Sequence, residues 1–380
     1  MKKNIFIIGS KGYEKNYGGW ETFVKRFCDY YDKSTSSIFV SEITFKKEKE
    51  YVKNGINCTP IYTKKIKGAT MMAYSIKSLY YYMNYVEKNN IKNAYFLILG
   101  LKMGPFLKIL NKRLKKLGIK VFVNPDGLEW KRSKWNYFVK KFFLYEEKTM
   151  LKNCDGIICD NEGIKDYLED TYKENKVKKY FIAYGTDEVD IEKLNQEKIL
   201  KEYGITKNNY FLVVGRSVPE NNFKLIIDEF KMSKTKKNLV IVSNINNDKY
   251  FDSLKKETNL ESDKRIIVIP GIYDKEKLCV IRKNAYLYLH GHSVGGTNPS
   301  LLEAMNYTDL NLLYDVSFNR NVGLDTCLYF NSEKGNLCHL LDNEKYLEKC
   351  RKKFGFLAKE RIKNNYTWDL VVSKYESIFK

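Results

Sequence analysis

A glycine-rich loop near position 295 and the helix after it carry the residues best suited to chemistry. The loop runs into Pro299, and a proline in a first helical turn is preorganised for helix. Because a helix start exposes backbone amides at its positive end, this pattern predicts an anion site suited to a diphosphate; an ordinary loop before a capped helix is the alternative. A carboxylate one turn into the helix can accept hydrogen bonds from sugar hydroxyls. The candidate residues of this site are Gly295, Gly296, Thr297, Asn298, Ser300 and Glu303.

Arg216 is a second candidate, because it follows Gly215 at the end of the strand-like run Tyr210–Val214. An arginine in this place can offer its planar guanidinium to phosphate oxygens. The signal is weak alone, since a Gly-Arg pair after a strand is common. Together with the glycine-rich loop, it predicts one side of a shared anion-binding cleft.

The elements that must position these residues alternate between short apolar strands and longer helical patterns along the chain. This alternation predicts parallel sheets covered on both faces, in two Rossmann-like domains. Ligands of such sheets bind outside the carboxyl ends of the strands, so a cleft between the domains is the expected active site. The predicted strands are Ile5–Ile8, Ser36–Val40, Ala94–Leu99, Lys120–Val123, Gly156–Cys159, Lys179–Ala183, Tyr210–Val214, Asn238–Val242, Arg265–Ile269, Ala285–His290 and Asn311–Tyr314.

Composition bounds the class of protein. The 380 residues are 43% hydrophobic, which is enough to offset the entropy of ordering and excludes a disordered chain. Eight cysteines are too few for a disulfide framework, and Cys154 and Cys159 have no second pair with which to bind zinc. The sequence shows neither a signal peptide nor a membrane-spanning stretch, so it predicts a cytoplasmic protein.

The charge is strongly positive: 67 Lys and Arg stand against 46 Asp and Glu, a net +21. Residues 101–150 hold 13 basic and 4 acidic residues, interleaved with aromatic and aliphatic side chains at helical spacing. That pattern is typical of a surface that rests on anionic headgroups, although a core helix with a basic outer face would also produce it. Nucleic acid is not an expected partner, because no nucleic-acid-binding motif is present.

Several motifs together carry a family resemblance. They are residues 17–24 (Tyr-Gly-Gly-Trp-Glu-Thr-Phe-Val), residues 124–132 (Asn-Pro-Asp-Gly-Leu-Glu-Trp-Lys-Arg), residues 160–164, residues 184–187, Arg216 and residues 299–305 (Pro-Ser-Leu-Leu-Glu-Ala-Met). Over essentially the whole chain, the sequence resembles glycosyltransferase family 4, retaining enzymes of the GT-B fold. Within that family, the amino-terminal motifs are similar to those of bacterial rhamnosyltransferases.

The resemblance implies an α/β GT-B architecture, with two Rossmann-like domains facing each other across a cleft. Residues 1–188 would bind the acceptor and be completed by a carboxy-terminal helix, 364–380, that crosses back. Residues 189–363 would bind the nucleotide sugar. The implied reaction is transfer of a sugar, with rhamnose from dTDP-rhamnose as the first expectation, to a lipid-diphosphate-linked sugar in capsule, O-antigen or cell-wall synthesis.

The resemblance also implies roles for residues. Arg216 and the loop at 295–297 would neutralise the diphosphate, and Glu303 would hold the ribose. Asp126 or Glu129 would orient or deprotonate the acceptor hydroxyl; a plain turn at Asp126 and a Glu129–Arg132 pair are the alternatives. Gly18 and Gly19 would let the backbone approach the donor phosphates or the acceptor, and a plain turn is the alternative. The remaining candidates, Glu21, Asp160 and His292, would contact the acceptor or position the residues that do.

Two departures from the family pattern bear on donor recognition. The first glutamate of the family's donor-loop pair falls at Gly295, and the lysine expected after the arginine falls at Asn221, with Lys224 nearby. We interpret these changes as altered recognition of the donor sugar. They leave Arg216 as the one secure cation for the leaving group.

The expected partners are a nucleotide-sugar donor, a lipid-linked acceptor, and the inner face of the bacterial cell membrane, contacted peripherally through residues 101–150. No cofactor is expected, and no metal, because the chain has no Asp-X-Asp triplet. Three alternatives stay open: another hexose donor such as galactose or glucose, a nucleotide-sugar epimerase, and a non-catalytic sugar-nucleotide-binding protein. A NAD-dependent oxidoreductase is disfavoured, because residues 9–12 do not form Gly-X-Gly-X-X-Gly.

Overall fold

The computed structural model describes residues 2–14, 18–125, 127–131, 135–246 and 248–379. These form two compact units, which we name unit 1 (residues up to Tyr184, and Trp368 onward) and unit 2 (Gly185–Thr367). The sequence places the boundaries at 188/189 and 363/364. In the structure, unit 2 begins at Gly185 and ends at Thr367. Thr186 and Thr367 pair in a parallel bridge, so the chain segments that enter and leave unit 2 are joined at these residues.

The elements follow the strand–helix alternation of the sequence. The strands are β1 (Lys3–Ile8), β2 (Ser36–Thr44), β3 (Tyr51–Lys53), β4 (Ile56–Tyr62), β5 (Ala94–Leu99), β6 (Lys120–Asn124), β7 (Gly156–Cys159), β8 (Lys179–Phe181), β9 (Tyr210–Val214), β10 (Asn238–Ser243), β11 (Ile266–Pro270), β12 (Leu287–His290), β13 (Asn311–Tyr314) and β14 (Leu328–Phe330). The helices are α1 (Gly19–Tyr30), α2 (Thr70–Lys88), α3 (Gly104–Lys116), α4 (Tyr137–Lys152), α5 (Glu162–Thr171), α6 (Gln196–Glu202), α7 (Phe223–Met232), α8 (Lys249–Thr258), α9 (Lys275–Lys283), α10 (Pro299–Tyr307), α11 (Ser317–Gly323), α12 (Asn336–Asp342), α13 (Glu344–Asn365) and α14 (Trp368–Ile378).

Unit 1 is built on an eight-stranded sheet in the order β3-β4-β2-β1-β5-β6-β7-β8. Neighbouring strands are parallel except β3 and β4, which form an antiparallel hairpin. Asn54 and Gly55 connect the hairpin, and both have positive φ, as a tight two-residue turn requires. Strand β5 is buried along its whole length, as expected for a parallel strand covered on both faces.

The carboxy-terminal helix α14 belongs to unit 1, as the sequence predicts. Its Tyr375 ring packs against Phe23 and Phe27 of α1, with ring centroids 5.7 and 5.2 Å away. After the helix, buried Phe379 contacts Tyr95 of β5 with centroids 5.3 Å apart. These aromatic contacts attach the end of the chain to the first domain's core.

Unit 2 is built on a six-stranded parallel sheet in the order β11-β10-β9-β12-β13-β14. Successive residues of β9 face opposite sides: Phe211 joins one apolar cluster with helix α7, and Leu212 joins another with helices α9 and α10. Because strand order reverses between β9 and β12, the loops after these two strands flank the position where ligands of such sheets bind. Together, the two sheets confirm the predicted α/β class.

Candidate functional site

The loops after β9 and β12 are joined by hydrogen bonds at the carboxyl edge of unit 2's sheet. Ser293 donates from its backbone N and its Oγ to the Glu220 carbonyl, at 2.8 and 2.9 Å. Asn222 Nδ2 donates to the Gly291 carbonyl at 2.8 Å. A Cβ on Gly291 would lie 2.3 Å from the Asn221 carbonyl oxygen, so the loops can approach this closely only with glycine there. The structure therefore brings together the two stretches that the sequence paired.

Arg216 is exposed in the first of these loops. Its backbone carbonyl accepts a hydrogen bond of 2.8 Å from Asn221 Nδ2. Asn221 occupies the position where a lysine was expected, and it is buried as part of this turn. Lys224 forms an exposed ion pair of 2.6 Å with Asp228 one turn along α7. Arg216 is thus the cation placed directly at the carboxyl end of β9.

Helix α10 begins as the sequence predicts, with Pro299 in its first turn. The Asn298 side chain caps it by accepting a hydrogen bond of 2.9 Å from Ser300 N. Ahead of the cap, Thr297 is buried, and Gly295 has a φ of +147° with nothing within 4 Å of where a Cβ would stand. The loop therefore approaches the positive end of α10 with open space beside its backbone.

Glu303 is held by a residue that the sequence analysis did not single out. Arg282 of α9, whose side chain is 2% exposed, forms an ion pair of 2.7 Å with Glu303 Oε2. Its Nη2 also donates to Ser300 Oγ at 3.1 Å. The available signal is that Arg282 comes three residues after buried Cys279, on the inner face of α9.

His290 is buried at the end of β12, and His292 lies close to Gly215 in the loop that carries Arg216. Their rings stack with centroids 4.2 Å apart. Burial, and then the positive charge of Arg216, lower the pKa of His292 to about 3. Burial, and then His292, lower the pKa of His290 well below its usual value. Both imidazoles are therefore neutral at physiological pH, which excludes His292 as a cationic acid.

The loop after β1 is tied to two buried glutamates at the carboxyl edge of unit 1's sheet. Lys11 N donates to Glu21 Oε1, and Tyr13 N donates to Glu42 Oε1, each at 2.9 Å. Glu21 lies in the first turn of α1, so this bond joins the loop to the helix start. The structure thus gives Glu21 a positioning contact behind the surface.

The two glycines before and at the start of α1 have different environments. Gly18 has a φ of +119°, and a Cβ there would lie 2.3 Å from Glu21 Oε2. Gly19 has nothing within 4 Å of the corresponding position and is exposed. The fold therefore requires glycine at 18, whereas the open space at 19 leaves room for close approach by a ligand.

The remaining candidates of unit 1 are placed as follows. Asp126 lies outside the described residues, as does Arg132. Glu129 opens a short 3₁₀ turn, is half-buried, and accepts a hydrogen bond of 3.0 Å from the Trp135 indole N–H. Asp160, directly after β7, is 1% exposed and so lies behind the surface.

The basic segment 101–150 forms helices α3 and α4, which pack on each other. A Cβ on Gly104 would lie 2.7 Å from the Glu146 carbonyl oxygen, so glycine lets the helices meet. Arg113 is ion-paired with Glu87, whereas the lysines of α3 point to solvent. The exposed apolar side chains include Ile109 (72%), Tyr137 (66%), Phe138 (81%), Phe142 and Tyr145.

Two features are absent from the described part of the chain. None of its helices combines the length and the apolar character needed to cross a bilayer. Nor does it contain a group of three or more His, Cys, Asp or Glu side chains arranged to hold a metal ion.

Comparison with known proteins adds two domain matches and one curated relative. Residues 2–187 match a domain of unknown function (DUF1972), and residues 195–323 match glycosyl transferases group 1. An uncharacterized glycosyltransferase of Methanocaldococcus jannaschii, MJ1069, is 27% identical over 265 residues, which cover 66% of this chain. The matched region spans 63% of that relative's length.

Solved structures of glycosyltransferases share the fold. Sucrose-phosphate synthase from Thermosynechococcus elongatus matches with a TM-score of 0.78 at 13% identity, over 100% of this chain and 98% of that one. Anabaena HepE in complex with UDP matches with 0.72 at 10% identity, over 99% and 98%. A glycosyltransferase from Rickettsia africae matches with 0.72 at 14% identity, over 100% and 98%. Residues 195–323 thus match the glycosyl transferases group 1 model, and the chain has the two-domain α/β fold of solved GT-B glycosyltransferases.

Proposed function

We propose that this protein is a retaining glycosyltransferase that moves a sugar from a nucleotide diphosphate to a hydroxyl of a lipid-diphosphate-linked sugar. The first expected donor is dTDP-rhamnose, because the amino-terminal motifs resemble those of bacterial rhamnosyltransferases. The product would enter capsule, O-antigen or cell-wall polysaccharide at the cytoplasmic face of the membrane. A solved relative in fold, HepE, is described in complex with UDP, which supports a nucleoside diphosphate as the leaving group.

One observation carries the proposal: Arg216 and the start of α10 share the switch point of unit 2's sheet. When the bond between the anomeric carbon and the diphosphate oxygen breaks, negative charge develops on the diphosphate. An exposed guanidinium and a capped helix start, both fixed beforehand by the loop contacts, would stabilise that charge. Such a site accounts for the leaving group without a metal, and activity that survives EDTA is the expected result.

The acceptor hydroxyl must lose its proton as the new glycosidic bond forms. Among the described residues, Glu129 is the candidate carboxylate of unit 1, because it is half-buried and oriented by Trp135. It would orient the hydroxyl and accept its proton.

A donor panel tests the reaction directly. Purified protein is incubated with a lipid-diphosphate-linked glucose or N-acetylglucosamine and with dTDP-rhamnose, UDP-galactose or UDP-glucose, and the acceptor is weighed by mass spectrometry. A deoxyhexose increment supports rhamnose, and a hexose increment supports the other donors. A new nucleotide sugar without acceptor change would instead identify an epimerase, and donor binding without turnover would identify a binding protein.

Arg216→Ala tests the site. We expect kcat to fall about 100- to 1,000-fold, the range for loss of one preorganised charge-stabilising group, with the fold intact by circular dichroism. Lys224→Ala is the matched control, because its pair with Asp228 is exposed, and it should change kcat less than about twofold. Near-normal turnover of Arg216→Ala would contradict the diphosphate assignment.

Membrane contact through residues 101–150 would bring the enzyme to a lipid-linked acceptor. Exposed aromatic rings at the start of α4 and the solvent-facing lysines of α3 are the chemistry that anionic headgroups attract. Replacing Lys112, Lys115 and Lys116 by Gln, with Arg113 kept because it is ion-paired, should weaken the affinity for phosphatidylglycerol vesicles, measured by sedimentation, about 100-fold. The same changes at Lys345, Lys349 and Lys352 of α13 should have no effect, and unchanged binding of the α3 variant would remove this part of the proposal.

A further inference from the structure

Arg282 is an unusual residue for the core of unit 2. Its side chain is 2% exposed, yet it carries a permanent positive charge. Burying a charge costs several kcal/mol unless it is well paired, and apolar residues of similar volume are often at least as stabilising. Its Nε has no hydrogen-bond partner among the described residues. Stability alone therefore gives little reason for an arginine here.

The polar contacts of the Arg282 side chain are made with helix α10. The guanidinium reaches Glu303 and Ser300 in the first turns of the helix, and the Arg282 carbonyl accepts a hydrogen bond of 2.8 Å from Thr308 Oγ1 at its end. One residue thus fixes both ends of the helix whose start carries the anion site. Glu303 stays 26% exposed, so its carboxylate is oriented from behind while part of it faces outward.

The network continues from Ser300 to the strand that carries Arg216. Ser300 Oγ is 3.1 Å from the Tyr288 hydroxyl, and Tyr288 donates to the Val214 carbonyl at 3.2 Å. Val214 ends β9, two residues before Arg216. The buried cation therefore contacts the first turns of α10 directly, and hydrogen bonds through Ser300 and Tyr288 connect it to the end of β9, just before Arg216.

We infer that Arg282 is a positioning residue for the nucleotide: it holds the Glu303 carboxylate in the orientation that accepts hydrogen bonds from the free hydroxyls of the nucleotide's pentose, two in UDP and one in dTDP. This inference rests on the proposed function, because it requires a nucleoside diphosphate at the site. Arg282 would not contact the nucleotide itself. Through Glu303, it would fix the position of the pentose relative to the diphosphate.

Binding of UDP and dTDP to the full-length protein, measured by isothermal titration calorimetry, is the test. We expect Arg282→Met and Glu303→Gln each to weaken the tighter ligand about 10- to 100-fold, the range for one hydrogen bond to a charged group. The double variant should bind within about twofold of the weaker single variant, because both changes remove one interaction. Arg282→Lys keeps the charge and should recover part of the affinity.

Two controls separate positioning from stability. Arg265→Met removes another ion-paired arginine of unit 2, which bonds Asp263 at 2.7 Å ahead of β11, and it should leave nucleotide affinity unchanged. The 2′,3′-dideoxy form of the bound nucleotide should bind wild type more weakly than the parent, but bind Arg282→Met as well as the parent does. The inference is overturned if Arg282→Met and Arg282→Lys bind like wild type, or if Arg265→Met loses as much affinity. Failure of wild type to bind either nucleotide would instead refute the proposed function.

Discussion

The two units place charge at the carboxyl edges of their sheets in opposite ways. In unit 1, the loop after the first strand is held from below by the carboxylates of Glu21 and Glu42, which consume two of its backbone donors. In unit 2, the buried cation Arg282 holds a carboxylate, and Arg216 stands exposed beside a helix start. The same kind of sheet thus carries fixed negative charge under one loop and fixed positive charge around the other. Under the proposed function, this difference favours unit 2 over unit 1 as the site of the diphosphate.

The largest expected effect is a loss of stability when the two joined loops of unit 2 are forced apart. Gly291→Ala would force a Cβ to within 2.3 Å of the Asn221 carbonyl oxygen, so the two loops must separate. We expect the free energy of unfolding, measured by urea denaturation, to fall by about 3 kcal/mol. The matched change in unit 1 is Gly19→Ala, where the new Cβ meets nothing and alanine favours the helix, so stability should stay within about 0.5 kcal/mol. Equal losses would contradict the difference between the loops.

A smaller effect concerns the pH dependence of stability that comes from the histidines, and all three histidines belong to unit 2. With the pKa of His292 lowered to about 3 by burial and Arg216, the unfolded chain binds a proton between about pH 6.5 and 3 that the folded protein does not. The contribution of the neutral His292 side chain to the free energy of unfolding is therefore fully present above about pH 6.5 and is lost as the pH falls. At pH 5, the loss should lower the free energy of unfolding by about 2 kcal/mol. His292→Gln should flatten the fall in the free energy of unfolding between pH 7.5 and 5, measured by urea denaturation at each pH, and an unchanged slope would contradict the prediction.

The smallest effect expected is in unit 1. Glu21→Ala removes the acceptor of the Lys11 amide and should cost about 1.5 kcal/mol, with faster hydrogen exchange at that amide. Glu14→Ala, which breaks an exposed pair with Lys53, should cost less than about 0.5 kcal/mol. If the Lys11 amide keeps its protection in Glu21→Ala, the loop is not held from below as described.

Most of the sheet scaffold could be predicted from the sequence, because buried parallel strands are short apolar runs. Ala94–Leu99, Tyr210–Val214 and Asn311–Tyr314 are observed with the predicted bounds. The hairpin of β3 and β4 was missed: Tyr51–Lys53 is exposed throughout, so it has no apolar run, and the available signal was the Asn54-Gly55 turn. Strand β14, at the edge of unit 2's sheet, is only three residues long and gave no periodic signal.

The candidate site likewise contains residues that could be predicted from the sequence and residues that could not. Arg216 and the glycine-rich loop could be found, because residues that follow strands in a parallel sheet share one edge. Arg282 could not be assigned its partners from sequence, since Ser300 lies 18 residues further along and the contact exists only where α9 packs on α10. The neutrality of His292 likewise depends on burial and on Arg216, which are properties of the folded protein.

Helix α14 constrains the order in which this protein can be assembled during synthesis. The aromatic core of unit 1 includes Tyr375 and Phe379, which leave the ribosome after every residue of unit 2. Until then, Phe23, Phe27 and Tyr95 lack their contacts with Tyr375 and Phe379, so the apolar surface that these two rings cover in unit 1 is open while unit 2 is being synthesised. A fragment that stops at residue 187 would stay in that unfinished state, and adding residues 368–379 as a separate peptide would be the natural way to complete it.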